Sequence, residues 1–317
     1  MGDIDLDRLT REFGLGEPLI AEPLTGGAAG TLKLRTARGT FVVKRVTDAR
    51  ELALYRQVEV TLNRAGVRQA RLHATLAGDL VAATGQAVFE WLPGRWATSP
   101  TRAQSAALMR HFAAYNRAIR SIHIPPFVTA WDNPWRKANA LDYLFRQLPA
   151  HLARLPLSPA FVAAATAALR LLAARRAELE HLPQQLVHGD VGPGNVLYAA
   201  DHRAVIIDFT PYPEPHLYGV CVALYWHYAY PTNGRPDIER IGQDLASYAT
   251  RHPLSSEDRR LFPVIFAKVA TRILTVPLLL HLEHGQPLRV EECDARATAL
   301  SAVLACHNSL ISAIGEA

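Results

Sequence analysis

One short β-prone segment, residues 186–209, interrupts the helical second half of this chain and limits the folds that the chain can adopt. Its first part, VHGDVGPGNVLY, places two glycines and a proline between Asp190 and Asn195. Glycine and proline at these positions disfavour a regular helix. We therefore predict a rigid loop that presents a carboxylate and a carboxamide and then enters a strand.

The next part of the segment, NVLYAADHRAVIID, has apolar runs on both sides of the polar centre DHR, as a β-hairpin requires. If the turn centres between Asp201 and His202, Asn195 lies directly opposite Asp208. Cross-strand partners have Cβ atoms about 4.5 to 5.5 Å apart and point to the same face. One oxygen from each could bind Mg²⁺, which prefers oxygen ligands and retains water or substrate phosphates. Asp190, on the preceding loop, would be free of the metal and able to accept a proton.

The rest of the chain divides into two parts of different character. Residues 19–92 contain short β-prone runs and one helical stretch, and after Pro93-Gly94 the chain is mostly helical. The predicted helices there are 101–123, 137–153, 159–181, 236–251, 256–284 and 290–314. We therefore expect an α+β protein with a small β-rich N-terminal lobe, residues 1–93, and a larger helical C-terminal lobe, residues 94–317.

Composition excludes several classes of protein. The 317 residues are 49% hydrophobic and 20% charged, and the net charge of +5 comes mostly from scattered arginine. Nucleic-acid binding is therefore not expected. The charged N-terminus and the short apolar runs predict neither export nor membrane insertion. Three cysteines cannot all pair, which indicates reduced thiols in a cytoplasmic protein.

Two motifs carry a family resemblance. Asp190 and Asn195 have the Asp-x-x-x-x-Asn spacing of the kinase catalytic loop, and Asp208 with Phe209 matches the metal-binding Asp-Phe of kinases. However, Gly189 stands where protein kinases have Arg, and no Ala-Pro-Glu signature is present. The chain therefore resembles the aminoglycoside phosphotransferase and choline kinase superfamily, small-molecule kinases with a protein-kinase-like fold. The resemblance covers most of the chain, with LTGGAAGTLKLRT, FVVKR and FEWLPG preceding HGDVGPGN and IIDF.

The resemblance implies a two-lobed kinase that moves the γ-phosphate of ATP or GTP onto a hydroxyl group of a small molecule. It implies that Asp190 takes or directs the hydroxyl proton, that Asn195 and Asp208 hold Mg²⁺, and that Lys44 orients the nucleotide phosphates. The implied nucleotide-binding residues are Gly26, Gly27 and Gly30 in a turn over the phosphates, and Glu90, Trp91 and Leu92 in a hinge whose backbone binds adenine, after a gatekeeper Phe89.

The acidic partner of Lys44 has two candidates. Asp48 and Glu51 match a capping box, which would explain Glu51 without catalysis. Glu51 also shares the helical spacing of Tyr55, so it can point at Lys44, and we take it as the catalytic partner. Glu59 is the rival.

Several acceptors fit these motifs. The resemblance implies antibiotics, amino alcohols, sugars or hydroxyl groups of a peptide natural-product precursor. Low lysine with abundant Ala and Arg favours an antibiotic or related secondary metabolite first, and homoserine or a similar amino alcohol second. A nucleotide-binding pseudokinase is the alternative from another class, and Gly219, where many relatives have an Asp that braces the catalytic loop, is its one support. Candidate acceptor-site residues are Trp131, Trp135, Tyr212, Glu214, Tyr218 and Glu283, with the aromatic segment 216–230.

Overall fold

The computed structural model of the chain describes residues 4–24, 31–130, 132–201, 203–230 and 235–315. The chain forms two compact units. The first consists of Met1–Trp96 and Val196–Ile207, and the second of Ala97–Asn195 and Asp208–Ala317.

The described residues contain strands in both units and helices mainly in the second. In chain order the strands are β1 (Pro18–Pro23), β2 (Leu32–Thr36), β3 (Gly39–Arg45), β4 (Gln86–Glu90), β5 (Gln185–His188), β6 (Val196–Tyr198), β7 (Ala204–Ile206) and β8 (Pro211–Glu214). The helices are α1 (Leu6–Phe13), α2 (Ala49–Arg64), α3 (Arg102–Ile119), α4 (Pro126–Thr129), α5 (Pro134–Asn139), α6 (Leu141–Arg154), α7 (Pro159–Ala174), α8 (Arg176–His181), α9 (Leu217–Leu224), α10 (Ile238–Ala249), α11 (Ser256–His284), α12 (Val290–Ala305) and α13 (His307–Gly315).

The first unit is built on an antiparallel sheet with the strand order β1-β2-β3-β4. Side chains of β3 alternate between the two faces, and Val43 is fully buried with Leu34 of β2 against Leu9 and other apolar residues of α1. Because neighbours in a strand point to opposite faces, Lys44 points away from this core. The sheet therefore presents Lys44 on its second face.

Helix α1 is an element that the sequence prediction did not include. The carboxylate of Asp5 accepts a hydrogen bond from the Arg8 amide at 2.9 Å, and Gly14 ends the helix with a φ of 63°. These are the usual start and stop signals of a short helix. The helix adds Leu9 and Phe13 to the core of the sheet.

The predicted join at Pro93-Gly94 lies against the β6–β7 hairpin within the first unit. The backbones of Arg95 and Tyr198 exchange two hydrogen bonds of 2.9 and 3.0 Å. A Cβ atom at Gly94 would lie 2.9 Å from the Leu197 Cβ, which is closer than such atoms approach. Glycine is therefore required for this approach of two backbones.

Helices dominate the second unit, and the longest of them, α11, is its central helix. By length and composition α11 could cross a membrane, but 89% of its apolar 18-residue window is buried inside the protein. The predictions for 101–123 and 256–284 correspond to α3 and α11. Those for 137–153, 159–181 and 290–314 each cover two consecutive helices.

The second unit also contains a strand pair that positions the predicted catalytic loop. β5 pairs with β8 in antiparallel register, with Val187 opposite Tyr212 and His188 opposite Pro211. Beyond the last pair, the Gly189 amide donates to the Thr210 carbonyl at 2.9 Å. The loop that follows β5 and the loop that precedes β8 are therefore held side by side.

Candidate active site

The loop after β5 brings Asp190 and Asn195 together. The Asn195 side-chain amide donates to the Asp190 carbonyl oxygen at 2.8 Å and to Asp190 Oδ2 at 3.0 Å. The Asp190 amide in turn donates to Nδ1 of His188, at 3.2 Å, and His188 is fully buried. These bonds fix the direction of the Asp190 carboxylate.

Asp208 lies on the neighbouring loop, in an unusual backbone conformation. Its φ is 58°, and it is the one non-glycine residue with positive φ in the part of the chain that the structure describes. Asp and Asn tolerate this region better than most residues, and such conformations cluster at functional sites. The Thr210 carbonyl, two residues on, accepts the Gly189 bond that joins this loop to the Asp190 loop.

The predicted register of the hairpin is wrong by one residue. Val196 pairs with Ile206 and Tyr198 with Ala204, so the ladder continued to Asn195 would place it opposite Ile207, not Asp208. The Ala199 amide donates to the Arg203 carbonyl at 2.9 Å, which closes the turn one residue earlier than predicted. Asn195 belongs to a 3₁₀ turn, Pro193–Asn195, and Asp208 leaves the ladder through its positive φ.

The donor chemistry of Asn195 and Asp208 fits Mg²⁺. Because the Asn195 nitrogen is used by Asp190, its side-chain oxygen is the atom left to face a ligand. Asp208 adds a carboxylate. In the described ranges, no group of three or more His, Cys, Asp or Glu side chains forms a metal cluster. One or two protein oxygens with phosphates and water are the usual shell of Mg²⁺ in nucleotide sites.

Lys44, in the first unit, lies on β3 opposite Ala87 of β4. Its Nζ is 5.7 Å from the ring centroid of Phe89, the predicted gatekeeper. Tyr55 of α2 meets the same ring edge-on, with centroids 5.2 Å apart. One face of the sheet therefore gathers Lys44, Phe89 and the α2 face that carries Tyr55.

The two acidic candidates on α2 have different surroundings. Glu59 is 4% exposed; it accepts a hydrogen bond of 3.1 Å from the Leu72 amide and pairs with Arg56 at 3.1 Å. Glu51 lies in the first turn of α2, after the predicted N-cap Asp48, whose carboxylate accepts from the Arg50 amide. The Glu59 carboxylate therefore already binds the backbone of the loop that contains Leu72.

Two of the three backbone amides of the predicted hinge donate hydrogen bonds within the protein. The Glu90 amide donates to the Arg71 carbonyl at 2.8 Å, and the Trp91 amide to the Thr40 carbonyl at 3.3 Å. Leu92 is buried, and its amide comes next along the chain after these two hydrogen-bonded amides. The glycines of the predicted turn, Gly26, Gly27 and Gly30, lie outside the described residues, as does Trp131.

The acceptor-site candidates fall into two groups. Tyr212, Tyr218 and Glu214 are buried, and Glu214 Oε1 accepts from Lys268 at 2.5 Å and from Asn139 at 2.7 Å. Glu283 pairs with Lys137 and Trp135 is 44% exposed. A cavity of about 320 Å³ in the second unit is lined by residues that include Arg136, Asn139, Tyr212, Glu214 and Lys268.

Three further residues lie near the loop. Tyr212 and the segment 216–230, which contains Trp226, were acceptor-site candidates, whereas Arg272 was not identified from the sequence. Trp226 lies beside Gly192, whose Cβ would be 3.5 Å from the indole ring. Tyr212 fills the space at Gly189, where any side chain would overlap its ring. Arg272 of α11 donates to the Gly189 carbonyl at 2.7 Å. A charged residue inside an apolar helix, as Arg272 is, was the available sequence signal.

Comparisons with known proteins identify the family and the fold. Residues 20–212 match the phosphotransferase enzyme family. A homoserine kinase from Rhodopseudomonas palustris is 26% identical, with 86% of this chain and 83% of that protein covered. An aminoglycoside phosphotransferase structure from Alicyclobacillus acidocaldarius has a TM-score of 0.68 at 16% identity, covering 100% of this chain and 98% of the other. The choline kinase LicA from Streptococcus pneumoniae has a TM-score of 0.63 at 14% identity, covering 95% and 99%. The predicted protein-kinase-like α+β fold is confirmed.

Proposed function

The chain belongs to the phosphotransferase enzyme family and is an ATP-dependent small-molecule kinase, and we propose that it phosphorylates the hydroxyl group of a small amino alcohol such as homoserine. The observation that carries this proposal is the arrangement of Asp190. Asn195 holds one oxygen of its carboxylate, and the Gly189–Thr210 bond joins its loop to that of Asp208. The side chains to which we assign proton acceptance and metal binding thus lie on adjoining loops.

We assign the transfer step to residues of these loops. Asn195 engages Oδ2 of Asp190, so Oδ1 is the oxygen that would receive the hydroxyl proton of the acceptor. Asn195 and Asp208 would hold Mg²⁺, which when bound neutralises charge on the nucleotide phosphates. Catalysis is then mainly positioning of the hydroxyl, because phosphoryl transfer needs little covalent help from the protein.

We assign nucleotide binding to the first unit. Lys44 would pair with the phosphates and Glu51 would position Lys44, since Glu59 is occupied by the Leu72 amide. Because the Glu90 and Trp91 amides are used inside the protein, the Leu92 amide is the hinge donor that we propose for the nucleotide base, ATP or GTP. The turn with Gly26, Gly27 and Gly30 would cover the phosphates.

Two observations favour a small acceptor. The curated relatives named homoserine kinase match over 86% of the chain, a longer match than the family region alone. The 320 Å³ cavity, whose lining includes Tyr212, the residue packed against Gly189, is at the small end of ligand sites. Its lining includes Glu214 and Arg136, whose charges suit the ammonium and carboxylate of an amino acid. Glu214 already accepts from Lys268 and Asn139, and Arg136 pairs with Asp132, so a bound amino acid would join these contacts. We place the acceptor beside Asp190, with Trp226 as a further contact.

An antibiotic or related secondary metabolite is the second candidate. Its support is the likeness in fold to an aminoglycoside phosphotransferase and to an amicoumacin kinase, the latter with a TM-score of 0.66. We propose a cytoplasmic location for either activity, because ATP is the co-substrate and Cys221, Cys293 and Cys306 are free thiols.

An acceptor panel tests the proposal. Purified protein with Mg·ATP is incubated with homoserine, choline, ethanolamine, an aminoglycoside and spectinomycin, while ADP release and the mass gain of one phosphate are measured. We expect transfer to homoserine or a close analogue, and Asp190→Asn protein is the matched control. Transfer to the antibiotics alone would reject the amino alcohol. Mg·nucleotide binding without transfer to any acceptor would indicate the pseudokinase.

A further inference from the structure

The departure at Gly219 has a steric cause. A Cβ atom at this position of α9 would lie 2.5 Å from the His188 carbonyl oxygen and 2.5 Å from Cζ of Phe112. Atoms do not approach so closely, so no side chain fits while the catalytic loop and α3 keep their positions. The acidic brace that the resemblance implies at this position is therefore excluded here, and α9 packs directly against the backbone of the loop.

A different side chain, that of Arg272, contacts the loop at Gly189, its first residue after β5. Arg272, 5% exposed on α11, donates from Nη1 to the Gly189 carbonyl at 2.7 Å. Its guanidinium lies 4.7 Å from the ring centroid of Tyr212, and the same Nη1 is 3.4 Å from the Tyr218 hydroxyl. The Tyr212 ring occupies the space at Gly189. The Arg272 hydrogen bond and the Tyr212 ring therefore both hold Gly189. That residue directly precedes Asp190.

The charge of Arg272 is unusual for the interior of the protein. One turn earlier on α11, the buried Lys268 has a carboxylate partner, Glu214. Arg272 donates instead to a backbone carbonyl and to a hydroxyl. Burial lowers the pKa of Arg272, but Tyr212, Tyr218 and the charge of Asp190 outweigh it and raise the pKa above its usual value. A buried cation is costly unless it is compensated, and here part of the compensation is Asp190.

We propose that Arg272 is a positioning residue that holds the catalytic loop in place of the acidic brace that is absent at Gly219. By fixing the Gly189 carbonyl it fixes the peptide plane between Gly189 and Asp190, and hence the direction in which the Asp190 carboxylate points. The inference rests on the proposed function for the role of Asp190. The Arg272 bond to Gly189 adds a second support to the loop, beside the hydrogen bonds from Asn195 to Asp190.

The test compares Arg272→Met and Arg272→Lys with Arg296→Met. Arg296 is the control, because it is a largely buried arginine on α12 whose Nη1 donates to a backbone carbonyl of α11, that of Ile273, at 2.6 Å, and not to the loop. Unlike Arg272, it also has a carboxylate partner, Glu292. Arg272→Met is expected to lower kcat about 10- to 100-fold, with little change in KM for ATP, since small misplacements of a catalytic group have costs of this order. Arg272→Lys should recover part of the loss. Arg296→Met should lower Tm without this loss of kcat.

Amide hydrogen exchange of residues 188–195 supplies a readout that does not need the acceptor. Faster exchange in this segment of Arg272→Met, relative to wild type and Arg296→Met, supports the inference. Unchanged exchange, or wild-type kcat in a folded variant, overturns it, and so does an equal loss of kcat in Arg296→Met. If Arg272→Met does not fold, Arg272→Gln takes its place under the same criteria. Absence of transfer by the wild-type protein would reject the proposed function, whereas hydrogen exchange would still test the brace.

Discussion

Asn195 donates from its side-chain amide to Oδ2 of Asp190 at 3.0 Å, so the two polar residues of the proposed catalytic loop form one unit. If Asp190 accepts the hydroxyl proton, Asp190→Asn should lower turnover by roughly 10²- to 10⁴-fold, the usual contribution of a general base. Affinity for Mg·ATP should stay near the wild-type value, because the residues assigned to the nucleotide are intact. Turnover assays and isothermal titration with a non-hydrolysable ATP analogue measure both quantities.

The same pair of experiments tests the alternative roles of Asp190. A pseudokinase would show no turnover in either protein, so the mutation would change nothing measurable. If Asp190 binds the metal instead, nucleotide affinity and its dependence on Mg²⁺ would fall together with the rate. A loss of affinity as large as the loss of rate would therefore contradict the assignment of Asp190 as the base.

Asp208 offers a second prediction, in which charge and backbone conformation are separated. Asp208→Asn removes one charge from the proposed metal shell and should cost several kcal/mol of transition-state stabilisation. We therefore expect kcat/KM to fall about a hundredfold or more, with little unfolding. Asn also tolerates the φ of 58°, whereas Ala at this position should lose a further 1 to 2 kcal/mol or so of folding stability. Mg²⁺ titrations of activity, with Tm for both variants, measure the two effects. Unchanged turnover in Asp208→Asn would reject the metal assignment.

Local motifs explain why a rigid loop between β5 and β6 could be predicted from the sequence. The Asp190–Asn195 contact spans a few residues of a loop whose glycines and proline limit its conformations, so spacing alone brings the two side chains together. The start and end of α1 are also encoded locally, by Asp5 and Gly14.

Long-range pairings explain what the sequence could not supply. Strand β8 contains Pro211 and Pro213, residues that argue against a strand, and its pairing with β5 depends on the packing of the whole second unit. The hairpin register depended on the turn, where a shift of one residue changes every partner. Arg272 lies on a helix buried over most of its length, so helical periodicity gave no indication of which side chain faces the loop.

The acidic partner of Lys44 gives a third prediction. Glu51→Gln should reduce kcat/KM for ATP by roughly 10- to 100-fold, the equivalent of a hydrogen bond to a charged group, with little change in Tm. Glu59→Gln should instead lower the free energy of unfolding by about 1 to 2 kcal/mol, because the ion pair with Arg56 is lost beside the Leu72 amide. Steady-state kinetics and urea unfolding of both variants decide between them. The opposite pattern would move the catalytic role to Glu59.

The pH dependence of stability gives the fourth prediction, through His227. This residue is 6% exposed, and within the described residues neither ring nitrogen has a hydrogen-bond partner. Burial lowers its pKa from 6.5 to about 4. The unfolded chain therefore binds a proton at a pH where the folded protein does not. Above pH 6.5 His227 is neutral in both states and does not affect the free energy of unfolding. As the pH falls from 6.5 towards 4, the free energy of unfolding decreases, with a slope of at most about 1.4 kcal/mol per pH unit.

His227→Leu should remove this contribution, because leucine of similar volume does not titrate and leaves no polar atom unsatisfied. The free energy of unfolding, measured by urea at several pH values between 4 and 7, should fall less steeply with acid than in the wild-type protein. His284→Leu is the control, since His284 is exposed in the last turn of α11 and should not share this effect. An unchanged slope in His227→Leu, or an equal change in both variants, would show that burial does not lower the pKa of His227 in the folded protein.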